Sequence, residues 1–250
     1  MRRASPTARG ATARAASKVA ETPPRRHLVI DGDDTLWENN VFFEQAAEAF
    51  IDFLDHSSLG RAEVRAALDE VERLNLASNH GYGSAAFGRN LQQTFRHLAE
   101  REIRPADLDH MIELAGQVVA QPVQIRPGVA ATLADLAWRH DLTLFTKGEH
   151  DEQMLKVERS GLAGHFDRVV VTPEKDVAAY MGLVAEHAFE PTQTWMVGNS
   201  PKSDINPPLA AGLGAVFIPH PQTWSLEVVD LVKSDRLLVI ESFPELLDHF

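Results

Sequence analysis

The sequence predicts an α/β fold, in which a parallel sheet carries helices on both faces and a helical domain is inserted into it. From residue 28 onward, short apolar stretches of strand length alternate with segments of helical periodicity, which is the pattern of a parallel sheet with crossover helices. One crossover contains about 80 residues more than a β-α-β unit needs. We therefore expect a Rossmann-like core in three α/β/α layers with an inserted, mostly α-helical domain.

Six apolar stretches are predicted strands, and polar clusters follow the first four of them. In open parallel sheets, loops at the carboxyl ends of the strands converge on one ligand crevice, so the four clusters are expected to form one site. The clusters cover residues 31–35, 146–148, 172–175 and 198–204. The predicted strands cover residues 28–30, 142–145, 169–171, 195–197, 215–218 and 237–240.

The insertion lies between the first two strands. Thr146 to Lys175 and Lys175 to Asp204 are both 29 residues, close to the length of one β-α-β unit. Asp31 to Thr146 is 115 residues. Apolar residues recur at helical spacing in four stretches of this insertion, so four helices are expected to pack as a bundle. The predicted domains are a helical domain over residues 41–125 and an α/β core over residues 27–40 and 126–250.

Residues 1–26 differ from the rest of the chain in composition and charge. They contain seven Arg and Lys residues against one Glu and show no apolar periodicity, so we expect a disordered tail. A transit peptide is the alternative. The total charge is −12 and the tail contributes +6, which leaves −18 for the rest of the chain. Such a surface disfavours nucleic acid and anionic lipid as partners.

The composition also limits the kinds of site that the chain can form. There are no cysteines, which excludes thiolate metal sites and thiol nucleophiles and is typical of a reducing compartment, by default the cytoplasm. The apolar stretches are far shorter than the roughly 18 residues that a membrane span needs, so no membrane crossing is expected. A surface this acidic repels phosphorylated substrates unless a local cation reverses the field at the site.

The segment LVIDGDDTL, residues 28–36, presents Asp31 and Asp33 directly after the first strand. This DxDxT pattern resembles motif one of the haloacid dehalogenase superfamily, in its phosphatase branch. Thr146, Lys175 and the GNSPKSD run ending at Asp204 resemble motifs two, three and four, in the same order along the chain. The resemblance covers residues 28 to about 219 and implies a phosphatase of a small phosphorylated metabolite, with the insertion as a cap domain.

The chemistry of phosphate-ester hydrolysis calls for such residues. The anionic oxygens of a phosphate monoester repel nucleophiles, so catalysis requires positioning and cations around the phosphoryl group. Asp31 can attack phosphorus to give an aspartyl phosphate, and Asp33 can protonate the leaving oxygen and then deprotonate the attacking water. By resemblance, Mg²⁺ would be held by the carboxylates of Asp31 and Asp204 and by the backbone carbonyl of Asp33.

The same resemblance implies that Thr146 and Lys175 bind the phosphoryl oxygens. Lys147, which follows Thr146, is a further candidate for substrate binding and can either line the site or point to solvent. Many relatives carry two acidic residues in motif four, and here Asn199 occupies the first of those positions. Asn199 can contact the metal through its carbonyl or through water, or can leave it uncontacted.

One turn of the cap, residues 79–83 with Tyr82 between two glycines, is the candidate for a loop that reaches the active site. An ordinary interhelical loop is the alternative. The preference of Asp and Gly for turns, with a positive φ at Gly32, would by itself explain any single polar cluster. It explains poorly why polar clusters follow four strands.

The sequence argues against some other activities of the superfamily and leaves others open. Dehalogenation needs neither Mg²⁺ nor an acid/base at Asp33, and Schiff-base phosphonate cleavage needs a cap lysine, yet no lysine occurs between Asp31 and Lys147. A phosphomutase differs mainly in the group that accepts the phosphoryl group, so it stays open. A noncatalytic binding protein with the same fold is the alternative outside the enzymes.

Overall fold

The computed structural model describes residues 25–78 and 81–250, and a six-stranded parallel sheet lies at its centre. The strand order is β3-β2-β1-β4-β5-β6, so the direction of winding reverses between β1 and β4, where ligand crevices form in such sheets. All six predicted strands are confirmed. They are β1 His27–Ile30, β2 Asp141–Lys147, β3 Arg168–Thr172, β4 Thr194–Gly198, β5 Gly214–Phe217 and β6 Leu237–Val239.

Helices cover both faces of the sheet because successive side chains of the central strand point to opposite sides. Leu28 and Ile30 belong to a buried hydrophobic cluster with helix α5, whereas Val29 belongs to a second cluster with helix α7. The structure therefore has the three α/β/α layers that the sequence predicts. The core helices are α5 Val129–Arg139, α6 His150–Ser160, α7 Val177–His187 and α8 Asn206–Ala210.

The inserted segment forms four helices with a hydrophobic core of their own. Phe50, Leu68, Leu91 and Met111, one from each helix, are buried in a cluster separate from those of the sheet. The predicted four-helix insertion is confirmed. Its helices are α1 Asn40–Leu54, α2 Arg61–Ala77, α3 Ser84–Leu98 and α4 Pro105–Ala120.

Two neighbouring connections join this cap to the core. The backbone N–H of Glu38 donates to Gln124 O at 3.0 Å, and that of Arg126 donates to Leu36 O at 2.9 Å. The Asp34 carboxylate accepts the N–H groups of Asn39 and Asn40 and so satisfies free donors at the start of α1. The cap is thus attached directly beside the turn that carries Asp31.

The predicted tail lies outside the described residues except for Arg25 and Arg26. The Arg25 Nε donates to Asp141 Oδ1 at 2.8 Å, and the Arg26 carbonyl accepts the N–H of Asp141 at 2.9 Å. These contacts hold residues 25 and 26 against the start of β2. In the part of the chain that the structure describes, no helix is long and apolar enough to cross a membrane.

Candidate active site

The turn after β1 buries Asp31 at the carboxyl edge of the sheet. The Asp31 N–H donates to Val197 O of β4 at 2.9 Å, so the residue lies where the winding reverses. The left-handed residue of this turn is Asp34, with φ 60°, and Gly32 lacks the positive φ of the turn-chemistry alternative. Gly32 has a packing role instead, because a Cβ there would lie 2.7 Å from the Trp37 ring.

Three sequence-distant residues meet beside this turn. The Lys175 Nζ lies 2.5 Å from Asp31 Oδ1 and 2.8 Å from Asp204 Oδ1. All three residues are buried. The loops after β1, β3 and β4 thus converge as the sequence predicts, with one ammonium between two carboxylates.

Asp204 is fixed by the loop after β4. Its N–H donates to Ser200 O at 2.7 Å, and its Oδ2 accepts the Ser200 N–H at 3.0 Å, within a π-helical turn over Pro201–Ile205. A Cβ on Gly198 would lie 2.5 Å from Asp204 Cγ. Glycine is therefore required at position 198 for the carboxylate to approach the strand end.

The electrostatics of this group are dominated by burial. The pKa of Asp31 is raised to about 7, mainly by burial and also by the Asp204 charge, while Lys175 opposes both effects. Burial would lower the pKa of Lys175, but the two carboxylates outweigh it and the pKa is raised. Two carboxylates that share one ammonium leave an excess negative charge, which favours binding of a further cation.

The Asp33 carboxylate is held by different partners. It accepts hydrogen bonds from Trp37 Nε1 at 2.7 Å, Gln153 Nε2 at 2.9 Å and Lys156 Nζ at 2.8 Å. Burial would raise the pKa of Asp33, but the Lys156 charge and these hydrogen bonds lower it. Sequence reasoning missed Gln153 and Lys156, although their spacing of three residues on α6 gives them one helix face.

Thr35 connects the first motif with the fourth. Its Oγ1 lies 3.1 Å from Asp31 Oδ2 and 3.2 Å from Asn199 Oδ1, both within hydrogen-bond distance. Asn199 Nδ2 donates to Thr223 Oγ1 at 3.1 Å. The Thr35 hydroxyl therefore lies between Asn199 and the buried Asp31 carboxylate and contacts both.

The two predicted substrate-binding residues of β2 both line the cavity above these carboxylates. Thr146 is almost fully buried. Lys147 Nζ donates to Glu227 Oε1 at 2.6 Å and to Ser203 Oγ at 2.7 Å. Lys147 therefore lines the site and does not point to solvent. Sequence reasoning missed Glu227, which comes from the irregular loop after β5 and has no motif to mark it.

The cavity has a volume of about 160 Å³ and lies between the strand-end loops and cap helices α1, α2 and α3. In the predicted cap loop, Asn79 and His80 lie outside the described residues, and Gly81, Tyr82 and Gly83 line the cavity. The Tyr82 hydroxyl donates to Glu174 Oε2 at 2.6 Å. This loop therefore contacts the core at the site.

A second group of potential ligands lies at the cap connection. Among the described residues, Asp34, Glu38 and His220 are the only set of three whose ligand atoms lie within 4.8 Å of one another. The Asp34 carboxylate already accepts backbone N–H groups of α1, and Glu38 faces Arg126 at 3.7 Å and His220 at 3.1 Å. These contacts give the group a structural role in joining the cap to the core.

Comparison with known proteins gives one family. The sequence model of one protein family, the haloacid dehalogenase-like hydrolases, matches residues 26–212 of the chain. The chain is 27% identical over 200 residues to the pyrimidine 5'-nucleotidase YjjG of Escherichia coli (strain K12). The aligned region covers 76% of this chain and 84% of that protein.

Solved structures have the same architecture. A haloacid dehalogenase-like family hydrolase from Xanthomonas campestris has a TM-score of 0.78 at 28% identity, covering 90% of this chain and 91% of its own. A 2-haloacid dehalogenase from Pseudomonas syringae pv. Tomato DC3000 has a TM-score of 0.59 at 23% identity, covering 90% and 97%; this likeness shows the fold alone. Because the family model matches most of the chain, including Asp31, Thr146, Lys175 and Asp204, the protein belongs to the haloacid dehalogenase-like hydrolases.

Proposed function

We propose that this hydrolase is a Mg²⁺-dependent phosphatase of a small phosphate monoester, with Asp31 as the covalent nucleophile and Asp33 as the acid/base. The observation that carries the proposal is the contact of one buried ammonium, that of Lys175, with the carboxylates of both Asp31 and Asp204 at the floor of a cavity. Membership of the family and similarity to a pyrimidine 5'-nucleotidase support hydrolysis of a phosphate monoester.

The residues of the site offer oxygen donor atoms that fit a magnesium ion. They are the carboxylate oxygens of Asp31 and Asp204 and the backbone carbonyl of Asp33, which accepts no hydrogen bond from the residues that the structure describes. All are hard oxygen ligands of the kind that Mg²⁺ prefers. When bound, Mg²⁺ would neutralise charge on the phosphoryl oxygens.

The residues of the site then divide the reaction into two steps. In the first, an Asp31 oxygen forms a bond to phosphorus while the bond from phosphorus to the leaving oxygen breaks, and Asp33, which must enter this step protonated, gives that oxygen its proton. In the second, Asp33 takes a proton from water, the water oxygen attacks phosphorus, and the bond to Asp31 breaks. The Thr146 hydroxyl and the ammonium groups of Lys147 and Lys175 would stabilise the phosphoryl oxygens throughout.

Hydrolysis of p-nitrophenyl phosphate by the full chain, with and without Mg²⁺, tests this function. We expect turnover that depends on Mg²⁺ and is lost with EDTA, and no release of chloride from 2-chloropropionate. Metal-independent turnover would refute the proposed mechanism. Chloride release would favour dehalogenation, for which the Pseudomonas syringae 2-haloacid dehalogenase is named. The two substrates therefore separate the main alternatives within the family.

Replacing Asn199 by aspartate is expected to leave turnover intact and to lower the Mg²⁺ concentration for half-maximal activity by about tenfold. The added charge lies one hydroxyl away from Asp31, while the Oδ1 that faces Thr35 is kept. Magnesium titrations of both forms measure the effect. Complete loss of activity in Asn199→Asp would contradict this interpretation of the loop.

Replacing Lys156 by methionine is expected to lower kcat for phenyl phosphate by about a hundredfold and for p-nitrophenyl phosphate by only about tenfold. The reason is that Lys156 Nζ contacts both oxygens of Asp33, at 3.1 and 2.8 Å, and so positions the group that protonates the leaving oxygen. Phenol, the poorer leaving group, depends more on that proton.

The exposed Lys233→Met is the matched control for loss of a lysine charge, and it should change neither rate. Equal losses for the two esters in Lys156→Met would show that Lys156 does not position Asp33 for proton transfer.

A further inference from the structure

The cap end of the cavity combines an apolar wall with acidic groups. Phe43, Tyr82, Phe87 and Trp224 line it, and the rings of Tyr82 and Trp224 meet edge to face with centroids 6.3 Å apart. Glu72 lines the same end and is buried. A leaving group that entered here would contact aromatic surface and a buried carboxyl together.

The charges around the cavity are strongly unbalanced. Among the described lining residues, eight are Asp or Glu and four are Lys or Arg. Each of the four cations already contacts a carboxylate: Lys175 contacts Asp31 and Asp204, Lys156 contacts Asp33, Lys147 contacts Glu227, and Arg65 contacts Glu44. Within the described part of the lining, no cation is left over for a second anionic group of the substrate.

Glu72 is the acidic group at this end with acceptor capacity to spare. Its Oε2 accepts Trp224 Nε1 at 3.3 Å, and no other hydrogen bond reaches its carboxyl group from the described residues. The nearby Arg65 guanidinium is held by Glu44 at 3.1 Å and Asp69 at 3.0 Å. Burial raises the pKa of Glu72 to about 7, and an acceptor oxygen remains in either protonation state.

We propose that the substrate is a phosphate ester of an uncharged alcohol with a planar, N–H-bearing group, the chemistry of a nucleoside, and that Glu72 accepts the hydrogen bond from that N–H. Esters whose leaving group carries a second anion, such as a carboxylate or another phosphate, are rejected by the uncompensated acidic lining. This inference rests on the proposed phosphatase function and names Glu72 as a specificity-determining residue.

Hydrolysis of uridine 5'-monophosphate and of phosphoglycolate, both with Mg²⁺ and with p-nitrophenyl phosphate as reference, tests the inference. We expect kcat/KM for the nucleotide to exceed that for phosphoglycolate by about a hundredfold or more, because bringing like charges together is costly. Glu72→Leu should lower the ratio of nucleotide to p-nitrophenyl phosphate activity by about tenfold, the value of one hydrogen bond. Glu72→Gln, which keeps an acceptor oxygen, should retain most of that ratio.

The control is Glu70→Gln, an exposed glutamate of the same helix paired with Arg73, which should leave the ratio unchanged. Thermal unfolding of each variant separates loss of recognition from loss of folding. Activity on phosphoglycolate equal to that on the nucleotide, or an unchanged ratio in Glu72→Leu, would overturn this inference and leave the proposed phosphatase function standing. Failure of the wild-type chain on p-nitrophenyl phosphate as well would overturn the proposed function and this inference with it.

Discussion

Asp31→Asn is expected to lower kcat for p-nitrophenyl phosphate by more than about a thousandfold. The asparagine amide cannot form the covalent bond to phosphorus on which both half-reactions depend. The fold should be retained, because Lys175 keeps its contact with Asp204 at 2.8 Å and the buried group becomes closer to neutral. The measurements are steady-state kinetics with saturating Mg²⁺ and the thermal unfolding midpoint.

A trapping experiment gives a second readout of the same change. Wild-type protein quenched in acid during turnover of a ³²P-labelled ester should carry label, and Asp31→Asn should carry none. Asp109→Asn, at an exposed position of α4, is the matched control and should be labelled like wild type. Turnover near the wild-type rate in Asp31→Asn would exclude Asp31 as the nucleophile.

Much of the fold could be predicted because its signals are local. The strand at residues 28–30 is a short apolar run followed directly by a polar turn, and it forms β1 with Asp31 at its end. The 115-residue interval from Asp31 to Thr146 indicates an insertion, which the structure contains as four helices with their own core. The convergence of Asp31, Lys175 and Asp204 follows from strand direction alone.

The remaining contacts of the site depend on tertiary packing that no local pattern encodes. Glu227 reaches Lys147 from a loop without regular periodicity, and Glu72 reaches Trp224 across 152 residues of sequence. Turn chemistry alone would explain Gly32 by the conformational freedom of glycine. In the structure, the approach of the Trp37 ring explains the glycine, and Asp34 takes the left-handed conformation.

Lys175→Met is expected to abolish activity and to lower the free energy of unfolding by about 3–5 kcal/mol. The Lys175 side chain is about 1% exposed, and its ammonium is the shared partner of two buried carboxylates. Its removal leaves two buried negative charges next to each other. Chemical denaturation and steady-state kinetics measure the two effects, with the exposed Lys233→Met as the control.

The origin of this instability can be tested by relieving the repulsion in two ways. Adding Asp204→Asn to Lys175→Met removes one of the two negative charges, so it should recover part of the lost stability without restoring turnover. Mg²⁺ should also raise the unfolding midpoint of Lys175→Met more than that of wild type, because the ion then neutralises carboxylates that have lost their ammonium. If Lys175→Met were as stable as wild type, and equally insensitive to Mg²⁺, Lys175 would not be the counterion of the pair. The acidic floor of the site would then have to be neutralised by protonation of a carboxylate instead.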